Sequence, residues 1–464
     1  MTQYEVRSPA SGEHVALVPE ADEAEVDRAA RAARAAFERG EWRRQSASAR
    51  GAVLERVAAL LLERREELAL LESRCSGKPV RDCRAEVGSA ARYFRFYAGI
   101  AGLLTGQTIP VAGQGLDLTL REPAGVCALI VPWNGPLAIA AKKAAPALAA
   151  GNSIVLKPAP PTPLTALALA RLGAEAGVPE GVFEVVTGSG PEAGRLLVRH
   201  PDVDRISFTG SSRTGADVLH GAADGIKRVT LELGGKSPLV AFADADLERL
   251  VESAAWAVFW NAGQDCCARS RAIVQRPVHD EFVARLAERA ARMRVADPLR
   301  DDTEIGSLVS DRQRERVLGF LERAREGGAE LVTGGQVVRG PGLEAGNAVA
   351  PTVVRGAAPD SEIACEEVFG PVMTVLPFDE EDEAVALANA TEYGLSASLW
   401  TRDVGRAIRV SREIRSGLLS VNSDTSAYLE APFGGVKRSG IGREQGLEGL
   451  LEFTELKNVF ISDR

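Results

Sequence analysis

Apolar positions along the chain change their period at defined points. Asp22 followed by Glu25 reads as a helix-starting cap, and Gly40, after Phe37, reads as its stop. Val53, Val57, Leu60, Leu61 and Leu68 then fall at helical spacing and predict a second amphipathic helix. Between Gly106 and Glu122 the pattern switches. "TIPVAGQGLDLTLRE" alternates apolar and polar residues around a Gly-Gln-Gly turn, which predicts a hairpin. From Val126 onward, apolar runs alternate with helical segments: "VCALIV", a helix over 137–149, "SIVLKP", the helix "LTALALARLGAEAG", then "VFEVV" and "RISFTG". Alternation of this kind predicts a mainly parallel sheet covered by helices on both faces. The region 236–440 repeats it with "PLVAF", "SRAIVQ", "ELVTGG" and "SASLWT", and "ELKNVFIS" reads as a last strand.

Length adds that 464 residues favour two or three domains. With 45% hydrophobic and 26% charged residues, the composition is that of a globular protein. A net charge of −9 argues against nucleic acid as a partner, because phosphate binding needs a basic face. The Arg- and Ala-rich "DRAARAARAAFERG" reads as a solvated helix face. The opening "MTQYEVRSPASGE" has no basic segment followed by an apolar run. Apolar stretches such as "GVCALIVPW" are interrupted well before the ~20 residues that cross a bilayer. The expectation is a cytoplasmic protein with no membrane partner.

Cys75, Cys83, Cys127, Cys266, Cys267 and Cys365 form no C-x-x-C, so neither a disulfide scaffold nor a zinc or other metal site is expected. His14, His200, His220 and His279 lie outside any nucleophile or metal motif. A reactive cysteine would therefore lack an obvious histidine base.

Five stretches carry candidate chemistry. "VFEVVTGSGPEAG" sets Gly188, Gly190 and Gly194 after a strand, and "ISFTGSSRTG" does the same with Gly210 and Gly215. Each is either a plain turn or a strand-to-helix turn whose N–H groups approach a phosphate. Glu232 in "VTLELGGKSP" is either a strand-end carboxylate in solvent or a partly buried general base. Asn134 in "IVPWNGP" is either a loop residue making an Asx-turn or an amide donor aimed at developing negative charge. "FWNAGQDCCARSR" supplies paired thiols. A thiol, a carboxylate and an amide can together run covalent acyl chemistry without histidine.

In their order and separation, "PWN", "LELGGKSP", "NAGQDCC" and "EEVFGPV" resemble the aldehyde dehydrogenase superfamily. The resemblance runs from "SPASGE" to "PFGGVKRSGIGRE" and so covers nearly the whole chain. In that family the nucleophile follows Gly-Gln by one residue. This implies Cys266, with Asp265 intervening and Cys267 as a structural or pocket-lining neighbour. The implied mechanism has the Cys266 thiolate attack an aldehyde, with the oxyanion held by the Asn134 amide and the Cys266 backbone N–H. Hydride then leaves for a nicotinamide, and Glu232 activates the water that hydrolyses the thioester. Lys143 and Glu444 resemble a proton-relay pair for Glu232.

The resemblance implies NAD as cofactor, with NADP left open. Val131, Pro132 and Trp133 would line its cleft, and Lys157 would hold the adenosine ribose. Gly210 and Ser211 would meet the pyrophosphate, Gly194 and Leu233 would contribute to the cleft, and Glu367 and Phe369 would fix the nicotinamide ribose and ring. The implied fold is α/β, with a Rossmann-like coenzyme domain (1–105 and 124–235) and a second α/β catalytic domain (236–440). A small β-hairpin oligomerisation arm (106–123, bridged by 441–464) would make a homodimer or homotetramer. One rival is a CoA-acylating semialdehyde dehydrogenase, which would not want the base Glu232. Another is a non-catalytic binding or structural protein, which would not need Asn134, Glu232 and Cys266 together. Around the substrate entrance, Gly135 stands where many relatives carry an aromatic and suggests extra room. Trp260, Asp265 and Tyr428 are candidate neighbours, and Lys142 is expected to point to solvent.

The chain departs from the family pattern at Pro160, where NAD-preferring relatives often place a ribose-binding Glu. Proline removes the acceptor and also the charge that would repel a 2′-phosphate. A charge-assisted hydrogen bond is worth roughly 1.5–3 kcal/mol, and about 1.4 kcal/mol is tenfold. We therefore expect NAD to be used and NADP to be accepted at lower efficiency, with Pro160→Glu widening the gap. Measuring kcat/KM for both cofactors in both proteins tests this. Equal rejection of NADP by the two proteins would move selectivity elsewhere.

Overall fold

The apolar runs collect into two mainly parallel sheets in the computed structural model, which describes residues 2–425 and 428–462. The first sheet has six strands. Their order is Gly440–Ile441, Arg228–Glu232, Arg205–Thr209, Val126–Ile130, Ser153–Lys157 and Phe183–Val185. Only Gly440–Ile441 runs antiparallel to its neighbour. The chain enters at Val126–Ile130, adds two strands on one side, then returns to add the others. This leaves a switch point between Val126–Ile130 and Arg205–Thr209, and the crevice at the carboxyl ends of such strands is where α/β sheets take ligands. Val126–Ile130 and Ser153–Lys157 are buried at every position, which explains their continuous apolar runs.

The entry of that first strand is fixed by one carboxylate. Asp204 Oδ2 accepts from Val126 N at 2.7 Å and from Arg34 Nη2 at 2.6 Å. Arg34 belongs to the helix Glu23–Arg39, which starts where Asp22 accepts from Glu25 N at 2.9 Å and stops at a left-handed Gly40. The run from Val53 to Leu68 is two helices rather than one, Ala47–Glu63 and Arg65–Ser76. The break is at Arg64, whose backbone turns to φ −102°, ψ 23° while its guanidinium pairs with Glu175 at 2.6 Å. A further helix, Val80–Ile100, packs against both and against the helix Pro136–Ala149.

The second sheet has seven strands. Their order is Glu330–Thr333, Thr352–Arg355, Val372–Phe378, Arg271–Gln275, Pro238–Ala241, Ser396–Trp400 and Leu418–Val421. Only its first pair is antiparallel. A separate three-stranded ribbon joins Thr108–Ile109 to Leu116–Pro123, and Thr454–Ile461 pairs along the full length of Leu116–Pro123. No helix among the described residues is long and apolar enough to cross a membrane.

Asp204→Ala leaves the Val126 N–H without its acceptor and a half-buried Arg34 without its partner. A loss of about 1–3 kcal/mol is expected, seen as a lower thermal unfolding midpoint. Asp204→Asn keeps an acceptor and should recover part of it.

Candidate active site

Asn134 follows the strand Val126–Ile130 and precedes Gly135, the residue before the helix Pro136–Ala149. Its position is set through its backbone. The Asn134 carbonyl accepts from Lys78 Nζ at 2.7 Å and from Asn261 Nδ2 at 3.0 Å. Its side-chain Nδ2 donates to the Gln264 carbonyl at 3.0 Å. A primary amide has two N–H donors, so a second remains for an acceptor in the site.

The loop that carries Cys266 is a strained turn. After the helix Leu247–Phe259, Asn261 and Ala262 both adopt left-handed backbone, at φ 52° and 53°. Left-handed backbone costs an L-residue roughly 1–2 kcal/mol, and asparagine tolerates it better than alanine. Gly263 continues the turn at φ 70°, and a Cβ there would lie 2.0 Å from the Gly370 carbonyl oxygen. Gln264 Oε1 accepts from Val309 N at 2.9 Å and anchors the far side of the loop.

Of the paired thiols, Cys266 is half-buried, whereas Cys267 is 3% exposed and packs with Leu395, Leu418 and Phe433. Cys266 is therefore the reachable sulfur. Asp265 Oδ1 accepts from Cys267 N at 3.2 Å and lies 3.8 Å from Cys266 Sγ. The neighbouring Cys267 thiol, and then burial, push the Cys266 pKa well up, while Lys142 pulls it down.

Glu232 ends the strand Arg228–Glu232, is 2% exposed, and has no hydrogen-bond partner for either carboxylate oxygen among the described residues. Burial, followed by the nearby Glu444 charge, drives its pKa well above the usual carboxylate range. Glu444 behaves in the opposite way. Burial pushes it up, but Lys142 and Lys143 outweigh that and hold it at about 2. Lys142 Nζ lies 2.7 Å from Glu444 Oε2, and Lys143 pairs with Glu444 Oε1 and donates to Ser207 Oγ at 2.8 Å. Burial and Lys142 lower the Lys143 pKa. The expectation that Lys142 points to solvent is thus corrected: it is 7% exposed, paired with Glu444, and stands 4.2 Å from the Phe433 ring centroid. One carboxylate between two buried ammoniums accounts for this.

The crevice of the six-stranded sheet collects the remaining candidates. Val131 is buried and donates its N–H to the Lys157 carbonyl at 3.1 Å, and Pro132 is half-buried. Lys157 ends its own strand, and burial lowers its pKa to about 8 against the pull of Glu20. Gly210 leads into Ser211, which caps the helix Ser212–Ala223 by accepting from Thr214 N at 3.3 Å. Such a helix N-terminus suits phosphate. Gly194 lies in the first turn of the helix Glu192–Arg199, where a Cβ would come no nearer than 4.0 Å, to Ile130. Leu233 is buried against Gly215. Across the crevice, Glu367 accepts from Gly235 N at 2.9 Å, and a Cβ on Gly234 would stand 2.4 Å from Glu367 Oε2. Burial raises the Glu367 pKa to about 7. Phe369, at φ 58°, meets Trp133 edge-on with ring centroids 5.2 Å apart.

These segments converge. Asn134 is bonded to the Cys266 loop, a Cβ on Gly235 would lie 2.6 Å from the Cys266 carbonyl oxygen, and Glu232 senses Cys267. Beside Asn134, the space next to Gly135 is bounded by Ile139 Cδ1 and Glu86 Oε1, which a Cβ on Gly135 would meet at 3.2 and 3.8 Å. Of the other entrance candidates, Trp260 lies under Lys78 with 5.3 Å between Nζ and the ring, and Tyr428 is exposed. Sequence reasoning missed Lys78, Glu86, Asn261, Ser207 and Glu20. The available signals were a lysine between Gly77 and Pro79, and the Asn two residues before Gly263.

A cysteine without histidine, an unpaired buried carboxylate and a side-chain amide, beside a dinucleotide-type crevice, fit an oxidoreductase that works through a covalent intermediate. The model of the aldehyde dehydrogenase family matches residues 1–459. The chain is 44% identical over 455 residues to betaine aldehyde dehydrogenase of Vibrio vulnificus (strain CMCP6), covering 98% of this chain and 93% of that protein. It superposes with TM-score 0.97 on the crystal structure of an NAD-dependent aldehyde dehydrogenase from Sinorhizobium meliloti, at 44% identity, covering 100% of this chain and 92% of that one. The TM-score is also 0.97 with betaine aldehyde dehydrogenase from Staphylococcus aureus in complex with NAD+, at 36% identity, covering 99% of this chain and 91% of that one. The chain belongs to the aldehyde dehydrogenase family.

Because the Cys267 thiol is the first cause of the raised Cys266 pKa, Cys267→Ala should lower it. The rate of Cys266 alkylation by iodoacetamide should then rise at a lower pH than in the unaltered protein. An unchanged pH profile would show that burial alone holds the proton.

Proposed function

We propose the following division of labour for the oxidation of an aldehyde to its carboxylic acid with NAD. Cys266 is the nucleophile. It rests as a thiol, and the Lys142 ammonium is the charge that favours its thiolate. The sulfur adds to the aldehyde carbon, and the oxyanion that forms is held by the free Asn134 N–H and the Cys266 backbone N–H. NAD, when bound, accepts the hydride that leaves that carbon. The Cys266 thioester that remains is hydrolysed by water that Glu232 deprotonates. A carboxylate raised by burial is a stronger base than an exposed one, which suits this task near neutral pH. Lys143 and Glu444, with Ser207, form a polar chain whose charges act on Glu232 without a direct hydrogen bond to it, and it is assigned the removal of the proton from that residue.

Val131, Pro132, Trp133, Lys157, Gly194, Gly210, Ser211, Leu233, Glu367 and Phe369 are assigned to the cofactor. The fit rests on three features of the crevice: a buried lysine of lowered pKa at a strand end, a capped helix N-terminus, and a carboxylate pinned across from them by Gly235 N–H. The observation that carries the catalytic reading is the meeting of Asn134, Gly235 and Glu232 at the loop of Cys266.

Segments 1–105 and 124–235 are assigned to coenzyme binding and 236–440 to catalysis, with 106–123 and 441–464 as bridging segments. The ribbon supports a homodimer or homotetramer, because Leu116, Leu120 and Ile461 are exposed together on one of its faces. The six cysteines carry no disulfide, which supports a cytoplasmic location.

Cys266→Ala should abolish dehydrogenase activity, while Cys267→Ala keeps most of it. Glu232→Gln should leave a single burst of NADH and slow steady turnover, because acylation needs the thiolate and the oxyanion donors whereas deacylation needs the base. Pre-steady-state absorbance separates the two steps. Loss of the burst with the steady rate would assign Glu232 an earlier role, and comparable losses at both cysteines would overturn the choice of nucleophile.

A further inference from the structure

Lys157 is assigned above to the adenosine ribose, and Pro160, three residues beyond it, offers no side-chain acceptor and no charge. A carboxylate nevertheless stands at this end of the crevice. Glu20 lies between the strand His14–Pro19 and the helix Glu23–Arg39, and it is half-buried. The division of labour above does not use it.

Hydrogen bonds stitch its segment to the turn after the strand Phe183–Val185. Ala21 N donates to the Thr187 carbonyl at 2.9 Å, and Thr187 Oγ1 donates to the Pro19 carbonyl at 2.6 Å. Both carboxylate oxygens of Glu20 accept from Ser189 N, at 2.9 and 3.0 Å. A Cβ on Gly188 would stand 3.5 Å from Glu20 Oε1, so the carboxylate lies against the Gly188 and Ser189 backbone. The bond is to an uncharged N–H, which leaves the carboxylate's charge in place. Sheet register carries the same turn to Lys157. Leu156 pairs in parallel with Val185, and Val186 N donates to the Leu156 carbonyl at 3.0 Å, so Lys157 ends its strand beside the start of the turn. Glu20 is also the charged group that pulls the Lys157 pKa up against burial.

We propose that Glu20 sets the choice of cofactor: its charge, fixed on the Ser189 N–H beside the end of the Lys157 strand, favours a ribose with a free 2′-hydroxyl and opposes a 2′-phosphate. The inference rests on the assignment of Lys157 to the adenosine ribose. A 2′-phosphate brings roughly −1.5 to −2 charges at pH 7, and the lysine that would receive it is already offset by a carboxylate. Discrimination of this kind needs no contact between Glu20 and the ribose, because like charges repel across several ångströms in a half-buried setting. The amino-terminal segment thus supplies the charge that Pro160 omits.

The test uses the full-length protein. Glu20→Gln keeps an oxygen acceptor for Ser189 N and removes the charge, whereas Glu20→Asp keeps the charge. Dissociation constants for NAD, NADP, 5′-AMP and adenosine 2′,5′-bisphosphate are measured by isothermal titration, alongside kcat/KM for both dinucleotides. In Glu20→Gln the two ligands with a 2′-phosphate should bind about 3–10-fold more tightly, while the affinities for NAD and 5′-AMP change less. Glu20→Asp should keep the discrimination of the unaltered protein. A purely structural role would weaken all four ligands together in Glu20→Gln. That result overturns the proposal, as does an unchanged ratio of NADP to NAD affinity in this variant. Lys157→Met tests the underlying assignment separately. Unchanged NAD affinity there removes Lys157 from the ribose site, and the proposal falls with it. Weakened NAD affinity there, with an unchanged ratio in Glu20→Gln, overturns the proposal alone.

Discussion

The backbone carbonyl of Asn134 is the hinge on which the site depends. It receives Lys78 from the region preceding the helix Val80–Ile100 and Asn261 from the Cys266 loop, while the Asn134 side chain returns a bond to Gln264 in the same loop. Two distant stretches of chain are thereby tied to one residue beyond the carboxyl end of a central strand. Lys78 can occupy that position only because Glu86 neutralises it, and Asn261 can reach only because the loop adopts left-handed backbone. The local strain of Asn261 and Ala262 is therefore offset by hydrogen bonds that also orient the amide.

Charge burial follows the same logic. Glu444 draws Lys142 and Lys143 into the interior, and that triad leaves Glu232 alone as the carboxylate without a partner. Isolation raises Glu232, while pairing lowers Glu444, so two glutamates in one interior titrate in opposite directions. Glycines permit the remaining close contacts. Gly234 and Gly235 let Glu367 and the Cys266 carbonyl approach to distances that a side chain would forbid.

Much of this was legible in the sequence. Continuous apolar runs give away strands buried on both faces, as at Val126–Ile130 and Ser153–Lys157, and the Asp22 and Gly40 caps locate a helix to the residue. The Arg64 break was not legible, because local spacing cannot register a tertiary ion pair with Glu175. Cys266, Asn134 and Glu232 stood out as chemical types in unusual settings. Lys78 and Lys142 did not, because a lysine in a short loop or on a helical pattern reads as solvent-facing until its partner is known. Glu86 and Glu444 are those partners, and Glu444 lies some three hundred residues from Lys142 along the chain.

The ribbon has a consequence for how the chain is made. Its middle strand, Leu116–Pro123, is completed by Thr454–Ile461, a segment made more than three hundred residues later. Through most of synthesis that strand has one long open edge bearing Leu116 and Leu120. An unpaired edge of this kind invites pairing with another nascent chain. That edge is covered only once Thr454–Ile461 has been made, so until then pairing within the chain competes with pairing between chains.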